Sequence, residues 1–259
     1  MDINLLAISI GNTRTRLGTF IDGKLHERQF LANDSMAALS VVLDEGYKPL
    51  RDKDDSQIVL ASVNPKLTDH LFKTIAQQFG KPPRRIESTL KVPIGRQLDP
   101  EAIVGEDRLL NAAAAFDTIK GACVVVDAGT AVTIDFVDGV GTFHGGAIAP
   151  GARMMLHAMH KGTTQLPQID MARPEGPIGH NTADAMRNGV FHGIRGMVRE
   201  LAEKYAEVAG AYPTIIATGG DSEMLFEGYE LIERIVPDLT LLGIAVAAQH
   251  DKNDGDDDE

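Results

Sequence analysis

The fold is decided by the stretch Ala122-Cys-Val-Val-Val-Asp127-Ala-Gly129-Thr130-Ala-Val-Thr133-Ile-Asp135-Phe-Val-Asp-Gly139. A short apolar run ends in a carboxylate, a glycine and a hydroxyl residue follow, and β-branched residues then alternate toward an Asp-Gly turn. This order predicts a β-hairpin with a polar elbow. Gly129 lets a ligand approach the backbone, and Asp127 offers an oxygen to a cation. The elbow therefore suits a phosphate with its cation, although Asp-x-Gly-Thr also occurs in ordinary strand turns.

The same design occurs near the start of the chain, in Leu5-Leu-Ala-Ile-Ser9-Ile-Gly11-Asn-Thr13-Arg-Thr15-Arg-Leu-Gly-Thr-Phe20-Ile-Asp22-Gly23. An apolar run, a polar residue, a spacer, a glycine and hydroxyl residues again precede a Phe-(Ile/Val)-Asp-Gly turn. We call residues 9–16 the first elbow and residues 127–130 the second elbow. The repetition predicts a duplicated unit in which each half of the chain opens with one hairpin.

Composition bounds the class of protein. The chain has 259 residues, of which 43% are hydrophobic, so it can build one large or two ordinary α/β domains. A net charge of −12 argues against nucleic acid or an anionic membrane as partner. The single cysteine, Cys123, lies in an apolar run, and neither a signal peptide nor a span of about 18 apolar residues is present. We therefore expect a reduced, cytoplasmic location, and a disordered acidic tail at residues 251–259.

A second informative segment, Leu98 to Phe116, contains Gly105-Glu106-Asp107-Arg108 at the predicted start of a helix. Asn111 follows one turn after Arg108, so these polar side chains can share one edge of the helix. The alternative is helix capping, because an acidic residue in a first turn is favoured by the helix dipole whatever the function.

The remaining pattern predicts further elements. We expect a buried strand at residues 58–63, a helix at 66–79, a long helix at 182–207 with Thr182 as its N-cap, a strand at 214–218 and a closing helix at 236–248. Gly189, Gly193 and Gly196 share a face of the long helix, which predicts close approach of another backbone because glycine is costly inside helices.

Six motifs, taken in order and spacing, resemble the bacterial type III pantothenate kinases over residues 5 to 248. They are Ile10-Gly-Asn-Thr13, Gly105-Glu-Asp-Arg108, Asp127-Ala-Gly-Thr130, Gly145-Gly-Ala-Ile-Ala-Pro-Gly151, Gly179-His-Asn-Thr182 and Ala217-Thr-Gly-Gly220. The resemblance implies an α/β fold of two ribonuclease H-like (actin-like) lobes, each a mixed five-stranded sheet with helices, and an interlobe cleft. We place the lobes at residues 1–115 and 116–250, before the tail.

The resemblance also implies the activity, which is ATP-dependent phosphorylation of pantothenate to 4′-phosphopantothenate, the first step of coenzyme A biosynthesis. It implies Mg²⁺ and a monovalent cation, K⁺ or NH₄⁺, and a homodimer formed through the glycine face of the long helix; the alternative for that face is packing on the chain's own sheet. The implied roles are Asp107 as base; Gly105, Glu106, Asp107, Arg108 and Thr182 for substrate; Ser9, Ile10, Gly11, Asn12, Thr13, Arg14, Thr15, Arg16, Thr130, Gly219 and Gly220 for ATP; and Asp127 for the cation.

One residue departs from the family pattern. The first elbow of the family reads Asp-x-Gly-Asn-Thr, and Ser9 stands here where that Asp belongs. Loss of a carboxylate beside the water shell of magnesium costs roughly 10- to 100-fold in affinity or activity. Two alternatives to the kinase therefore follow: a catalytically impaired homologue with a regulatory or accessory role, or a kinase or phosphatase of this superfamily for another small molecule.

Overall fold

The computed structural model describes residues 3–53 and 55–256. The strands are β1 (Leu5–Ile10), β2 (Arg14–Ile21), β3 (Lys24–Ala32), β4 (Gln57–Ser62), β5 (Arg84–Arg85), β6 (Gly95–Arg96), β7 (Cys123–Ala128), β8 (Ala131–Val137), β9 (Thr142–Pro150), β10 (Thr214–Thr218) and β11 (Arg234–Ile235). The α-helices are α1 (Leu39–Tyr47), α2 (Pro65–Phe79), α3 (Glu106–Ile119), α4 (Ala152–Gly162), α5 (Thr182–Ala209), α6 (Ser222–Phe226) and α7 (Leu239–Asp256). Short 3-10 turns cover Met36–Ala38 and Lys48–Leu50.

The chain forms two compact units with one sheet each. Unit 1 comprises residues 1–95, 99–117 and 239–259, and unit 2 comprises residues 96–98 and 118–238. In unit 1 the strand order is β3-β2-β1-β4-β5, with β1 antiparallel to β2 and parallel to β4. The predicted first hairpin is confirmed.

The sheet of unit 2 repeats this topology. Its order is β11-β10-β7-β8-β9-β6, so that β7, β8, β9, β10 and β11 correspond to β1, β2, β3, β4 and β5. The antiparallel pair β7–β8 and the parallel pair β7–β10 match β1–β2 and β1–β4. The predicted duplication is therefore confirmed, and β6 is an additional edge strand.

Each sheet buries alternate residues of its central strand against helices. In unit 1, Leu6, Ile8 and Ile10 of β1 pack into a core with α1 and α2. In unit 2, Val124, Val126 and Ala128 of β7 pack into a core with α4, α5 and α6. Because side chains alternate along a strand, Ser9 and Asp127 both lie on the opposite face of their sheets, where each is the first residue of its elbow.

The C-terminal helix differs from the prediction. The sequence assigned residues up to 250 to the second half, whereas α7 belongs to unit 1, where Leu241 reaches the site of Gly18 and Gly243 lies against the backbone of Leu110. A Cβ on Gly243 would lie 2.2 Å from the Leu110 carbonyl oxygen. Small residues therefore allow α7 to pack closely on unit 1.

The disordered tail expected at residues 251–259 also needs correction. Helix α7 continues to Asp256, and residues 257–259 lie outside the described residues. Arg84 donates to both carboxylate oxygens of Asp251, at 2.6 and 2.8 Å. This ion pair fixes the helix beyond the apolar segment, which composition alone did not reveal.

Helix α5 begins one residue earlier than predicted, because Thr182 is its first helical residue and not its N-cap. The N-cap is Asn181, whose side-chain oxygen accepts from the Asp184 backbone N–H at 2.9 Å. A Cβ on Gly189, Gly193 or Gly196 would meet no neighbouring described atom within 4 Å. Packing of this glycine face on the chain's own sheet is therefore excluded. No helix within the described ranges is long and apolar enough to span a membrane.

Candidate functional site

The first elbow is a tight turn held by backbone and side-chain hydrogen bonds. The Gly11 N–H donates to the Arg14 carbonyl at 2.9 Å, which closes the turn between β1 and β2. The side chains of Ile10 and Thr15 are buried, and the Thr15 hydroxyl donates to Asn33. Both residues therefore shape the elbow from inside, and we do not retain their side chains as ATP contacts. Sequence reasoning missed Asn33.

The start of α3 lies beside the same strand ends in unit 1. The Ser62 N–H, at the end of β4, donates to the Glu106 carboxylate at 2.8 Å. The next residue, Val63, donates its N–H to the Ile10 carbonyl at 3.0 Å. A Cβ on Gly105 would lie 3.6 Å from the Val63 side chain. These contacts bring Glu106 and its neighbours to the carboxyl ends of β1 and β4, next to the first elbow.

Asp107 is oriented by its own helix turn. Its Oδ1 accepts from the Arg108 N–H at 2.9 Å. The same oxygen folds back over Gly105, where a Cβ would lie only 2.5 Å away. Gly105 is therefore needed for space, because any larger residue would displace the Asp107 carboxylate.

Burial decides the electrostatics at this helix start. The pKa of the Asp107 carboxyl is raised by desolvation, although its hydrogen bond from the Arg108 N–H and the charge of Arg108 oppose the shift. The pKa of the Glu106 carboxyl is also raised by burial, against the Ser62 N–H and the charge of Arg85. A carboxylate with a raised pKa is a better proton acceptor at neutral pH than an ordinary one.

Asn111, which the sequence grouped with these residues, has a structural role instead. It is buried, and its Oδ1 accepts from the buried Thr240 hydroxyl of α7 at 2.8 Å. The polar edge of α3 is therefore limited to its first turn. No local pattern indicates this pairing, because Thr240 is 129 residues away along the chain.

In unit 2 the second elbow is enclosed by glycines. The Gly129 N–H donates to the Ala131 carbonyl at 2.9 Å, and the Gly151 N–H donates to Thr130 at 3.1 Å. A Cβ on Gly151 would lie 2.2 Å from the Gly129 carbonyl oxygen. Gly219, with φ +96°, lies equally close to Asp127: a Cβ on Gly219 would lie 2.4 Å from Asp127 Oδ1. Only glycine fits these two positions.

The Asp127 carboxylate has a hydroxyl neighbour on β10. Thr218 pairs with Asp127 in the parallel register, so both side chains lie on the same sheet face. Thr218 is fully buried, and its Oγ1 is without a hydrogen-bond partner among the described residues. The oxygens at this strand end suit a cation that prefers hard oxygen ligands. Thr218 lies inside the motif Ala217-Thr-Gly-Gly220, but sequence reasoning assigned it no role.

The other predicted residues of unit 2 are exposed. Thr182 is the first residue of α5, and Gly220 follows the close turn at Gly219. Asp221, which follows Gly220 in the chain, is buried and is paired with Arg153 at 2.9 Å. The structure thus groups the first elbow with residues 105–108 in unit 1, and Asp127 with Thr130, Gly219 and Gly220 in unit 2.

Solved structures define the class of fold. MreB 5 of Spiroplasma citri, solved bound to AMPPNP, matches with a TM-score of 0.54 and 11% identity over 100% of both chains. A Baf family protein of Campylobacter jejuni matches with a TM-score of 0.62 and 23% identity, over 96% of this chain and 99% of the other. The chain has the α/β fold of the actin-like ATPases, as predicted, with one such sheet in each unit.

Sequence comparisons give the family. The model of type III pantothenate kinases matches residues 5–204. A type III pantothenate kinase of Rhodospirillum rubrum is 36% identical over 96% of this chain and 100% of its own length. A type III pantothenate kinase of Dehalococcoides mccartyi is 33% identical over 96% of this chain and 98% of its own length. The chain belongs to the type III pantothenate kinase family, and the predicted family is confirmed.

Proposed function

We propose that this chain transfers the γ-phosphoryl group of ATP to pantothenate and forms 4′-phosphopantothenate, the first step of coenzyme A biosynthesis. The observation that carries this function is its membership of the type III pantothenate kinases, whose curated members match along nearly the whole chain. The alternatives of an impaired homologue and of a different small-molecule substrate find no support in these comparisons.

Asp107 acts as the base in this proposal. Its carboxylate accepts the proton of the primary hydroxyl of pantothenate, the alcohol oxygen bonds to the γ-phosphorus, and ADP leaves with the electron pair of the broken bond. The raised pKa of Asp107 and its fixed position over Gly105 support this role. Gly105, Glu106, Arg108 and Thr182 are the residues that we propose for pantothenate binding.

ATP binding is assigned to both elbows. The proposed ATP-binding residues are Ser9, Gly11, Asn12, Thr13, Arg14 and Arg16 of the first elbow, Thr130 of the second elbow, and Gly219 and Gly220. Close contacts of Gly151 and Gly219 with the backbone hold the second elbow in one shape, and a backbone turn that is already in place supports a role in binding phosphate.

Asp127 is the proposed ligand of the monovalent cation, K⁺ or NH₄⁺. The buried Thr218 hydroxyl on the same sheet face fits an oxygen-lined cation site. Within residues 3–53 and 55–256, no group of three or more His, Cys, Asp or Glu side chains could hold a metal ion. We assign Mg²⁺ mainly to the phosphate oxygens of ATP and to water, because Mg²⁺ usually binds in this mode in kinases. Bound there, it would neutralise phosphate charge.

The test is turnover of pantothenate by the purified protein with ATP, Mg²⁺ and K⁺, measured as 4′-phosphopantothenate. We expect turnover by the wild type and loss of about 10²- to 10⁴-fold in Asp107→Asn, the usual contribution of a general base. Asp69→Asn, an exposed carboxylate on α2, is the matched control and should retain activity. Full activity of Asp107→Asn would remove Asp107 as the base.

Ser9 tests the impaired alternative directly. The Ser9→Asp variant restores a carboxylate at the position equivalent to Asp127, and we expect it to lower the Mg²⁺ concentration needed for half-maximal rate by about 10- to 100-fold. Wild-type turnover at saturating Mg²⁺ supports the kinase. A wild type without turnover that Ser9→Asp rescues would instead support the impaired homologue.

The proposed assembly is a cytoplasmic homodimer through the glycine face of α5. Support comes from the space beside Gly189, Gly193 and Gly196, where a second helix can approach closely. Light scattering at micromolar concentration should give twice the 27.9 kDa chain mass, and Gly193→Arg should give the monomer. A monomeric wild type would exclude this interface.

A further inference from the structure

We propose that Asn33 is a positioning residue that holds the first elbow in its phosphate-binding shape; this inference rests on the proposed role of that elbow in ATP binding. Asn33 follows β3 and makes three hydrogen bonds to the elbow. Its Nδ2 donates to the Gly11 carbonyl at 2.9 Å, and its backbone N–H donates to the Thr13 carbonyl at 3.0 Å. Its Oδ1 accepts from the Thr15 hydroxyl at 2.9 Å.

These bonds attach both sides of the turn to one side chain. Gly11 lies on the β1 side and Thr15 on the β2 side, where it is fully buried. The Gly11 N–H is already used within the turn, by the Arg14 carbonyl. The Asn33 side chain therefore bonds to the other polar backbone group of Gly11, its carbonyl. Loss of the amide leaves the Gly11 carbonyl and the buried Thr15 hydroxyl without these partners, which favours rearrangement of the turn.

The second elbow shows what the equivalent position does there. Arg14 pairs with Ala32 at the end of β3, and Ala131 pairs with Pro150 at the end of β9. Asn33 and Gly151 are therefore equivalent, since each follows the last residue of its strand. Both donate a backbone N–H to the elbow, Asn33 to Thr13 and Gly151 to Thr130. Gly151 then fixes its elbow by direct backbone contact, with no room for a Cβ. In the first elbow, the side-chain amide of Asn33 makes the connection that direct backbone packing of Gly151 makes in the second elbow.

The function of this contact is positioning, since Asn33 bonds to the elbow backbone and to Thr15 and is assigned no contact with ATP. A displaced elbow should weaken ATP binding more than pantothenate binding, because Glu106, in the segment 105–108, keeps its own hydrogen bond from the Ser62 N–H. A one-ångström misplacement costs up to about 10²-fold when it moves reacting groups. We expect Asn33→Ala to raise KM for ATP by about 5- to 50-fold and to change KM for pantothenate less than about twofold.

Asn4 provides a matched control in the same unit. It is a buried asparagine at the opposite end of β1, donating to Asp55 at 2.8 Å and accepting from the Asp22 N–H at 3.2 Å. Asn4→Ala removes a similar pair of bonds away from the elbow. We expect it to lower the melting temperature and to leave both KM values near wild type.

The experiment compares Asn33→Ala, Asn33→Ser, Asn4→Ala and Thr13→Val by steady-state kinetics and thermal melting. Asn33→Ser, too short to reach the Gly11 carbonyl, carries the test if the alanine variant does not fold. A selective rise in KM for ATP in the Asn33 variants supports positioning. If KM for ATP is unchanged in the Asn33 variants but raised in Thr13→Val, the positioning role of Asn33 is overturned and the role of the elbow in ATP binding stands. Unchanged values in all of them also remove the elbow from ATP binding, and equal changes for both substrates leave Asn33 a purely structural role.

Discussion

Gly105→Ala gives the sharpest test of the proposed base, because the structure predicts lost activity without lost stability. The added Cβ would lie 2.5 Å from Asp107 Oδ1, whereas ordinary contact begins at 3.4 Å. The carboxylate must therefore move by the difference, about 0.9 Å. That movement also disturbs its 2.9 Å hydrogen bond from the Arg108 N–H. A misplacement of about 1 Å costs on the order of 10²-fold in rate, so we expect kcat to fall by about that factor.

The Gly105→Ala substitution should not lower the stability of the fold. The atom that must move is the end of a side chain and not backbone, and Gly105 does not adopt a left-handed conformation. Replacing such a glycine by alanine lowers the entropy of the unfolded chain, a gain of about 0.4–1 kcal/mol. We therefore expect a melting temperature equal to or slightly above that of the wild type.

The assay is a double-mutant cycle of Gly105→Ala with Asp107→Asn, measured as kcat for 4′-phosphopantothenate formation. If alanine acts through Asp107, it should have almost no further effect in the Asp107→Asn background. Gly121→Ala, just after α3, is the control, because its Cβ meets only ordinary contacts at 3.8 Å or beyond. The reasoning is refuted if Gly105→Ala keeps kcat within threefold of wild type, or if the two substitutions reduce kcat independently.

Three further predictions concern stability. Asp107→Asn should be more stable than wild type at pH 7, because burial raises the pKa of the Asp107 carboxyl in the folded state and its ionisation therefore opposes folding. The difference in melting temperature should disappear as the pH falls below the ordinary pKa of an aspartate, where the carboxyl is protonated in both the folded and the unfolded state. Gly219→Ala should cost about 2–5 kcal/mol in denaturant unfolding, because its φ of +96° disfavours alanine and the Cβ would lie 2.3 Å from the Ala128 carbonyl oxygen. Asp251→Asn should cost about 0.5–1 kcal/mol near neutral pH through loss of the partly exposed pair with Arg84, and less in high salt.

Each of these has a simple contradiction. Equal melting temperatures of Asp107→Asn and wild type across pH 4 to 8 would show that burial does not penalise that charge. Gly162→Ala, whose Cβ would meet no described atom within 4 Å, is the control for Gly219→Ala, and equal unfolding free energies of the two would contradict the packing argument. The pair with Arg84 lowers the pKa of Asp251, so the wild-type advantage over Asp251→Asn should be lost as the pH falls through that lowered pKa; a pH-independent difference would contradict it.

Much of the fold follows from local pattern. The apolar runs ending at Ser9 and Asp127, with a glycine two residues later, predicted two hairpins, and the strands pair in that register. Local chemistry also located Asp107 at a helix start, since acidic residues favour a first turn. The same local reasoning misassigned Asn111, because helical spacing shows which residues share a face of a helix and does not show that Thr240 packs against that face.

The duplicated hairpins and the long α5 helix could be predicted from the amino-acid sequence, since they depend on residues close together along the chain, and the order and spacing of six motifs predicted the family. The contacts between distant residues are visible only in the folded chain: Asn33 at the first elbow, Ser62 at Glu106, and α7 with unit 1 and not with the preceding strands. It also showed that Thr15 is buried and that Gly105 leaves room for Asp107. The physical reason is that hydrogen bonding and close packing depend on separation in space, and periodicity records only neighbours along the chain.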